Sequence, residues 1–340
     1  MKIEVSEFGA LQGEAVKAFT LINDQDMQVT LLNLGGIIKD IKVRDRSGEF
    51  KHCVQSFDSL EQYIEDKTYR GAIVGRYANR IGQATFTLDG KQYFLDKNGG
   101  DHCLHGGNTG FHKRVWDAAH SVNAQQCSLT LQLTSPDGEG GFPGNVDITA
   151  CYTLDNNNVL SLSICASTDK STPLSFTQHA YFTLSNESTV GSTYVKIDAD
   201  HVTQADSTLL PTGRLTSVTN TPFDYRTLTK IASRVNSSLP CELFEMVGGY
   251  DHNYVLTALK NNQPNALVYA EDTGIEMALS TNLPGLQFYT GSLQTSEQIG
   301  ALCLEPQHFP DAPNRPEFPS CIVEPGKPMT ALFRYAFSVD

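Results

Sequence analysis

No window of this 340-residue chain is apolar over the length that a membrane span requires. Met1 to Ala10 lacks the apolar core of an export signal, because Lys2, Glu4 and Glu7 interrupt it. The eight cysteines include no Cys-x-x-Cys pair, so reduced thiols in a cytoplasmic protein are the expectation. Basic residues are few: 25 Lys and Arg stand against 38 Asp and Glu, a net charge of -13 that repels phosphate backbones and anionic lipid. Neither nucleic acid nor membrane is expected as a partner. Nucleotide-cradling patterns are missing as well. Gly71 to Arg80 holds Gly71, Gly75 and Arg76 but neither Gly-x-Gly-x-x-Gly nor Gly-Lys-Ser/Thr, and no Gly-x-Ser-x-Gly marks a serine nucleophile. Asn186-Glu187-Ser188 and Asn236-Ser237-Ser238 match a glycosylation pattern that matters only in an exported chain. No tandem repeat, low-complexity tract or linker divides residues 1–340, so one domain is expected.

What is present is a core-forming composition, 40% hydrophobic and 19% charged, written mostly in alternation. Leu129, Leu131 and Leu133 alternate with polar residues. Val146, Ile148, Ala150, Tyr152 and Leu154 do the same, Asp155 to Asn158 turns, and Leu160, Leu162, Ile164 and Ala166 alternate back. Ala84 to Leu95 reads as a hairpin around Asp89-Gly90, a pair that adopts the positive backbone angles of a two-residue turn. Val29 to Val43 reads as two strands broken at Gly35-Gly36. Further strands are expected at Tyr250 to Thr257, Asn265 to Tyr269, Gly274 to Thr281, Leu286 to Thr290 and Met329 to Ser338. Helix is sparse: Ser59 to Ile64 behind an Asp58 cap, and a short one through Leu228, Ile231 and Val235. The fold class is all-β, a large antiparallel β-sandwich or barrel with a few short helices.

Two stretches carry candidate chemistry. In Leu302 to Pro313, Leu302 and Leu304 alternate with Cys303 and Glu305 before Pro306, so a strand there aims the carboxylate away from the leucines. In Leu174 to Leu184, Leu174, Phe176, Ala180, Phe182 and Leu184 share one face with Gln178. His179 falls on the other among Ser175, Thr177, Tyr181 and Thr183, a surface suited to a polar ligand. His102, Cys103 and His105 cluster in the Gly-rich Asn98 to Gly110 loop, but no second close pair completes a zinc set, so no metal is expected. His105, His179 and Glu305 remain as a set able to give one proton and take another. The competing reading is a satisfied histidine and an exposed carboxylate. Asn79, Arg80, Asp251 and Gln287 add fork-shaped donors and acceptors suited to sugar hydroxyls.

These residues lie in six ordered motifs: Gly75-Arg76-Tyr77-Ala78-Asn79-Arg80-Ile81, Leu104-His105-Gly106-Gly107, Gln178-His179-Ala180-Tyr181-Phe182, Asp251-His252-Asn253-Tyr254, Pro284 to Gly291, and Leu304-Glu305-Pro306-Gln307. In order and spacing the chain resembles the aldose 1-epimerases, or galactose mutarotases. The resemblance implies a single-domain β-sandwich with an open cleft, interconverting α and β anomers of free aldohexoses such as galactose and glucose. It implies Glu305 as general base, His179 as general acid, His105 as a second active-site histidine near the ring oxygen, and Asn79, Arg80, Asp251 and Gln287 as holders of substrate hydroxyls. It implies no cofactor and no essential metal; a monomer or weak homodimer is expected. The chain departs from the commoner family pattern at Gln178, Ala180 and Thr183, at Asp101 and Cys103, and at Ser292, which bear on sugar preference and the fit around His179.

Three other readings share some of these features. A hexose-6-phosphate epimerase would want a basic pocket, a glycoside hydrolase a second positioned carboxylate, and a non-catalytic sugar binder neither proton-transfer residue. For His179 to serve as acid near neutrality its protonated form must be populated, and a nearby carboxylate is expected to favour that.

Overall fold

The computed structural model describes residues 1–340 except 237, 238, 240, 258–262 and 294–297, so Ser237 and Ser238 of the second glycosylation pattern lie outside the described residues. Alternation becomes sheet throughout. Gln126–Ser135, Val146–Asp155 and Val159–Thr168 form a meander in which Leu131 faces Ala150 and Ala150 faces Ile164, so each strand's apolar row lands on one side. The meander belongs to a nine-stranded antiparallel sheet that runs on through Met329–Val339, Ile275–Thr281 and Ala266–Tyr269.

Two five-stranded antiparallel sheets cover it. The first holds Lys2–Leu11, Glu14–Ile22, Gln28–Leu32, Ile38–Arg44 and Phe50–His52; the second holds Pro211–Ser217, Ala199–Ala205, Gly249–Leu256, Gly285–Ser292 and Cys303–Gln307. One buried cluster draws on all three sheets: Leu21, Val29 and Leu31; Leu129, Ile148, Leu162 and Phe333; Tyr254, Leu286 and Leu304. That shared core defines a β-sandwich and sets the second five-stranded sheet as the floor of the cleft described below.

The hairpin is Thr85–Leu88 with Lys91–Phe94, and Asp89 and Gly90 both take positive φ (51° and 75°), as a two-residue turn requires. The first helix is Leu60–Glu65, and its cap is Ser59 instead of Asp58: the Ser59 hydroxyl accepts from the Gln62 N–H while the Gln62 amide oxygen accepts from the Ser59 N–H. The second expected helix is Ile231–Val235, without Leu228. A third, Glu242–Val247, was not expected from the sequence.

Leu174 to Leu184 departs most from expectation. Only Thr172–Pro173 and Thr177–Gln178 pair as short strands, and residues on both faces are buried. The chain here is threaded between sheets, so alternation does not separate core from solvent. Gln178 hydrogen-bonds the Gly71 carbonyl, and the Ser175 hydroxyl accepts from the His308 N–H. All eight cysteines carry free sulfurs.

Candidate active site

Register brings the candidates together. Arg80–Ile81 pairs with Cys103–Leu104, Leu104 opposite Arg80, which sets His105 beside Asn79. Asn79 and His105 both hold left-handed backbone (φ 65° and 51°) and are linked twice: the His105 N–H donates to the Asn79 carbonyl at 3.0 Å, and the Asn79 N–H donates to His105 Nδ1 at 3.2 Å. The next residue, Gly106, passes so close to Gly75 that a Cβ would lie 2.1 Å from the Gly75 oxygen. Only glycine fits this corner.

On the floor, Glu305 stands opposite Gln287, and Gln287 opposite Asn253. A register shift between Tyr250 and Asp251 sets Asp251 opposite Tyr289. His179 follows the short strand Thr177–Gln178; its N–H donates to Ala72 and its carbonyl accepts from Gly71, at 2.9 and 2.8 Å. These anchors bring His179 Nε2 to 3.6 Å from Glu305 Oε2. Both residues are buried, Glu305 at 2% and His179 at 5% exposure, so the reading of Glu305 as an exposed charge does not hold. Among the described residues Glu305 Oε2 and His179 Nδ1 have no hydrogen-bond partner, which argues equally against a satisfied structural histidine.

The two open onto a small cleft of about 200 Å³. Its walls include Asn79, Arg80, His105, His179, Asp251 and Glu305. Gln287, buried beside Glu305, donates its amide to Asp251 Oδ1 at 2.6 Å and leaves its Oε1 without a partner among the described residues. Arg80 approaches the other Asp251 oxygen at 4.0 Å. Lys67, Thr68, Tyr69, Tyr181 and Tyr289 also line the cleft. Lys67 to Tyr69 carried no signal, because they sit in a loop with no periodicity and reach the site only through tertiary packing.

Burial governs the protonation of this pair. It pushes the Glu305 carboxyl well above its ordinary value, with Asp251 adding to the rise and Arg80 opposing it. It pushes His179 down to about 4, more than Asp251 and Asp66 pull it up. Nearby carboxylates, Asp251 and Asp66, do favour protonated His179 as expected, but burial outweighs them. Burial therefore opposes the charged form of both groups, and the two titrate as a coupled pair.

His105, His179 and Glu305 are the one group among the described residues with metal-ligand spacing, their donor atoms lying within 4.8 Å of one another. Histidine chemistry speaks against a metal there. His105 Nδ1 gives its lone pair to the Asn79 N–H, and burial holds the ring neutral, so Nε2 bears the proton and has no lone pair to offer. His105 instead presents an N–H donor to the cleft. His102 is engaged elsewhere, between the Gln83 N–H and the Thr208 hydroxyl.

A β-sandwich with a buried acid and histidine facing a small polar cleft defines a proton-transferring, sugar-sized site of the galactose mutarotase kind. Comparison agrees at the level of fold. The galactose 1-epimerase from Lactobacillus acidophilus superposes with a TM-score of 0.87 at 26% identity, covering 99% of each chain. An aldose epimerase homologue from C. elegans superposes at 0.84 with 30% identity over 94% of this chain and 98% of that one. In sequence, the galactose mutarotase of Bos taurus is 35% identical over 95% of this chain and 94% of its own, and the aldose 1-epimerase of Escherichia coli K12 is 33% identical over 97% and 98%. The aldose 1-epimerase pattern matches residues 17–336, and the chain belongs to that family. Its reaction is the family's isomerisation of a sugar.

Proposed function

We propose that this protein interconverts the α and β anomers of free aldohexoses, galactose and glucose among them, with Glu305 as general base and His179 as general acid. The observation that carries the reading is the 3.6 Å approach of His179 Nε2 to Glu305 Oε2 at the bottom of the cleft. The carboxylate removes the proton of the anomeric hydroxyl while the imidazolium protonates the ring oxygen, and the hemiacetal opens to the aldehyde. Rotation about C1–C2 and closure on the other carbonyl face return both protons. Sugar hydroxyls entering the cleft give Glu305 the hydrogen bonds that burial denies it, which favours carboxylate, and a carboxylate there favours imidazolium at His179.

Asn79, Arg80 and Asp251 would hold hydroxyls away from C1, and Gln287 would keep Asp251 aimed. His105 would offer Nε2–H near the ring oxygen. The core that draws on all three sheets supports reading residues 1–340 as one working unit. Arg80 already faces Asp251, which leaves Lys67 as the cation on the cleft wall free of a close carboxylate among the described residues; this weighs against a phosphorylated hexose.

The test follows the optical rotation of freshly dissolved α-galactose and α-glucose, and anomer exchange of hexose 6-phosphates by NMR. Acceleration confined to free sugars, lost in Glu305→Ala and His179→Ala with the fold intact, is expected. Near-parent turnover in both variants would sink the assignment.

A further inference from the structure

Two tyrosine rings stack on His179. Tyr181 stacks on it with 5.2 Å between centroids and 21° between planes, and Tyr69 with 6.1 Å and 26°. Tyr181 is fixed by donation from its hydroxyl to the Thr68 carbonyl at 3.0 Å. Tyr69 is fixed by its loop. Asp66 Oδ1 accepts from the Thr68 N–H and hydroxyl at 2.8 and 2.6 Å, and Asp66 Oδ2 accepts from the Arg70 N–H at 2.8 Å. This knot holds Tyr69 in left-handed backbone (φ 57°), which an L side chain rarely adopts, with its ring 4.5 Å from both His105 and His112. Strain at a cleft residue, held by a dedicated carboxylate, points to a task for the ring.

We propose that Tyr69 and Tyr181 are positioning residues for His179: their π faces hold the imidazole in the plane that presents Nε2 to Glu305 and the sugar, and favour imidazolium over the neutral ring. The proposal rests on His179 being the acid. An aromatic face attracts a cation most strongly where water is excluded, and this ring is buried in a site where desolvation opposes its charging. The remaining groups facing it are Glu305 at 3.6 Å and His105 at 5.4 Å between ring centroids. At longer range Asp251 and Asp66 favour its charge, and Arg70 opposes it. The two faces thus supply a stabilisation of the cation that leaves Glu305 free to act as a base.

The experiment compares Tyr69→Phe, Tyr69→Leu, Tyr181→Phe and Tyr181→Leu in the full chain, measuring kcat, KM and the pH profile of anomer exchange. Phe keeps the face; Leu removes it. Tyr69→Phe should retain kcat within about threefold and Tyr181→Phe, which also loses the Thr68 bond, should lose less than Tyr181→Leu, while the Leu variants lose roughly 3- to 30-fold in kcat with KM little changed. The alkaline limb of kcat should also move down by roughly 0.4 to 1.5 pH units in the Leu variants, since imidazolium is then less favoured. General loosening of the site would lower kcat at every pH without moving that limb. An unmoved limb in both Leu variants, or equal losses in Phe and Leu, overturns the proposal. Should the Leu variants fail to fold, the parent decides: two stacked faces shift the His179 Hε1 resonance upfield of the exposed histidines, and an unshifted resonance refutes the stacking. Loss of the acid role itself would show differently, as undiminished turnover in His179→Ala.

Discussion

Glu305→Gln should lower turnover and raise stability together, because one cause, the burial of an ionisable carboxyl, underlies both. Glutamine keeps the shape and one hydrogen-bonding edge but cannot accept a proton at neutral pH. A positioned proton-transfer group contributes about 10² to 10⁴ in rate, equal to roughly 3 to 5 kcal/mol of barrier, and kcat should fall by that factor with KM little altered. Stability moves the other way. The folded Glu305 has its proton affinity raised well above the ordinary value of 4.5, so ionising it costs free energy that the unfolded chain does not lose. The parent is therefore favoured below about pH 4.5 and loses that advantage as pH rises towards the folded value. The variant has no such loss. Paired denaturation curves should nearly coincide at pH 4 and separate progressively above it, the variant being the more stable. Anomer exchange and denaturation on the same samples make the assay. Curves that stay parallel from pH 4 to pH 8, or a turnover within a few-fold of the parent, would refute the burial argument and the base assignment respectively.

Acid should unfold the protein early. Burial lowers His179, His252 and His308 to about 4, His112 to about 3, and His105 well below its ordinary value. Their neutral forms stabilise the fold above about pH 6.5 and that contribution is lost as pH falls towards 4. At pH 5 a histidine lowered to about 4 costs about 2 kcal/mol, so three together reach the lower end of the 5–15 kcal/mol margin of an ordinary domain; a urea midpoint unchanged between pH 7 and pH 5 would contradict this. Asp251→Asn should raise KM for free hexoses about tenfold or more by loosening both Arg80 and Gln287, measured by saturation kinetics, and an unaltered KM would remove Asp251 from the binding wall. Arg70→Met should move the alkaline limb of kcat upwards, because Arg70 opposes the charge on His179. It should also lower the melting temperature, since the guanidinium lies 4.7 Å from the Phe57 ring and 4.9 Å from that of Tyr181. A limb that moves down would contradict the sign.

The parts of this molecule legible in its sequence are those where one physical rule acts alone. The strands Val146–Asp155 and Val159–Thr168 have one face on a core and the other towards water, so alternation reads directly as burial. Asp89-Gly90 announces a turn because few residues tolerate its angles. Leu174 to Leu184 fails for the converse reason: with protein on both sides, the face carrying Ser175, Thr177 and His179 is as dry as the face carrying Phe176 and Phe182. Motif order drew Asn79, Arg80, His105, His179, Asp251 and Glu305 to one site, yet it carried nothing about Tyr69, whose place depends on a left-handed turn tied by Asp66. Gln287 stands within a motif, but only the fold shows its amide donating to Asp251.

Burial was the quantity missing from the residue-level reading, and it changes the chemistry more than the geometry. An exposed Glu and His at 3.6 Å would ionise independently and form a weak ion pair that water screens. Buried together, the same two groups both resist charging and titrate as a coupled pair, and a reaction that gives one proton and takes another, then repeats the exchange in reverse, draws on that coupling. His105, tied through Nδ1 to Asn79, is removed from the exchange and kept as a donor. The fold thus separates two histidines of identical type into a proton carrier and a fixed hydrogen-bond donor, and it does so by the one backbone N–H that His105 has and His179 lacks.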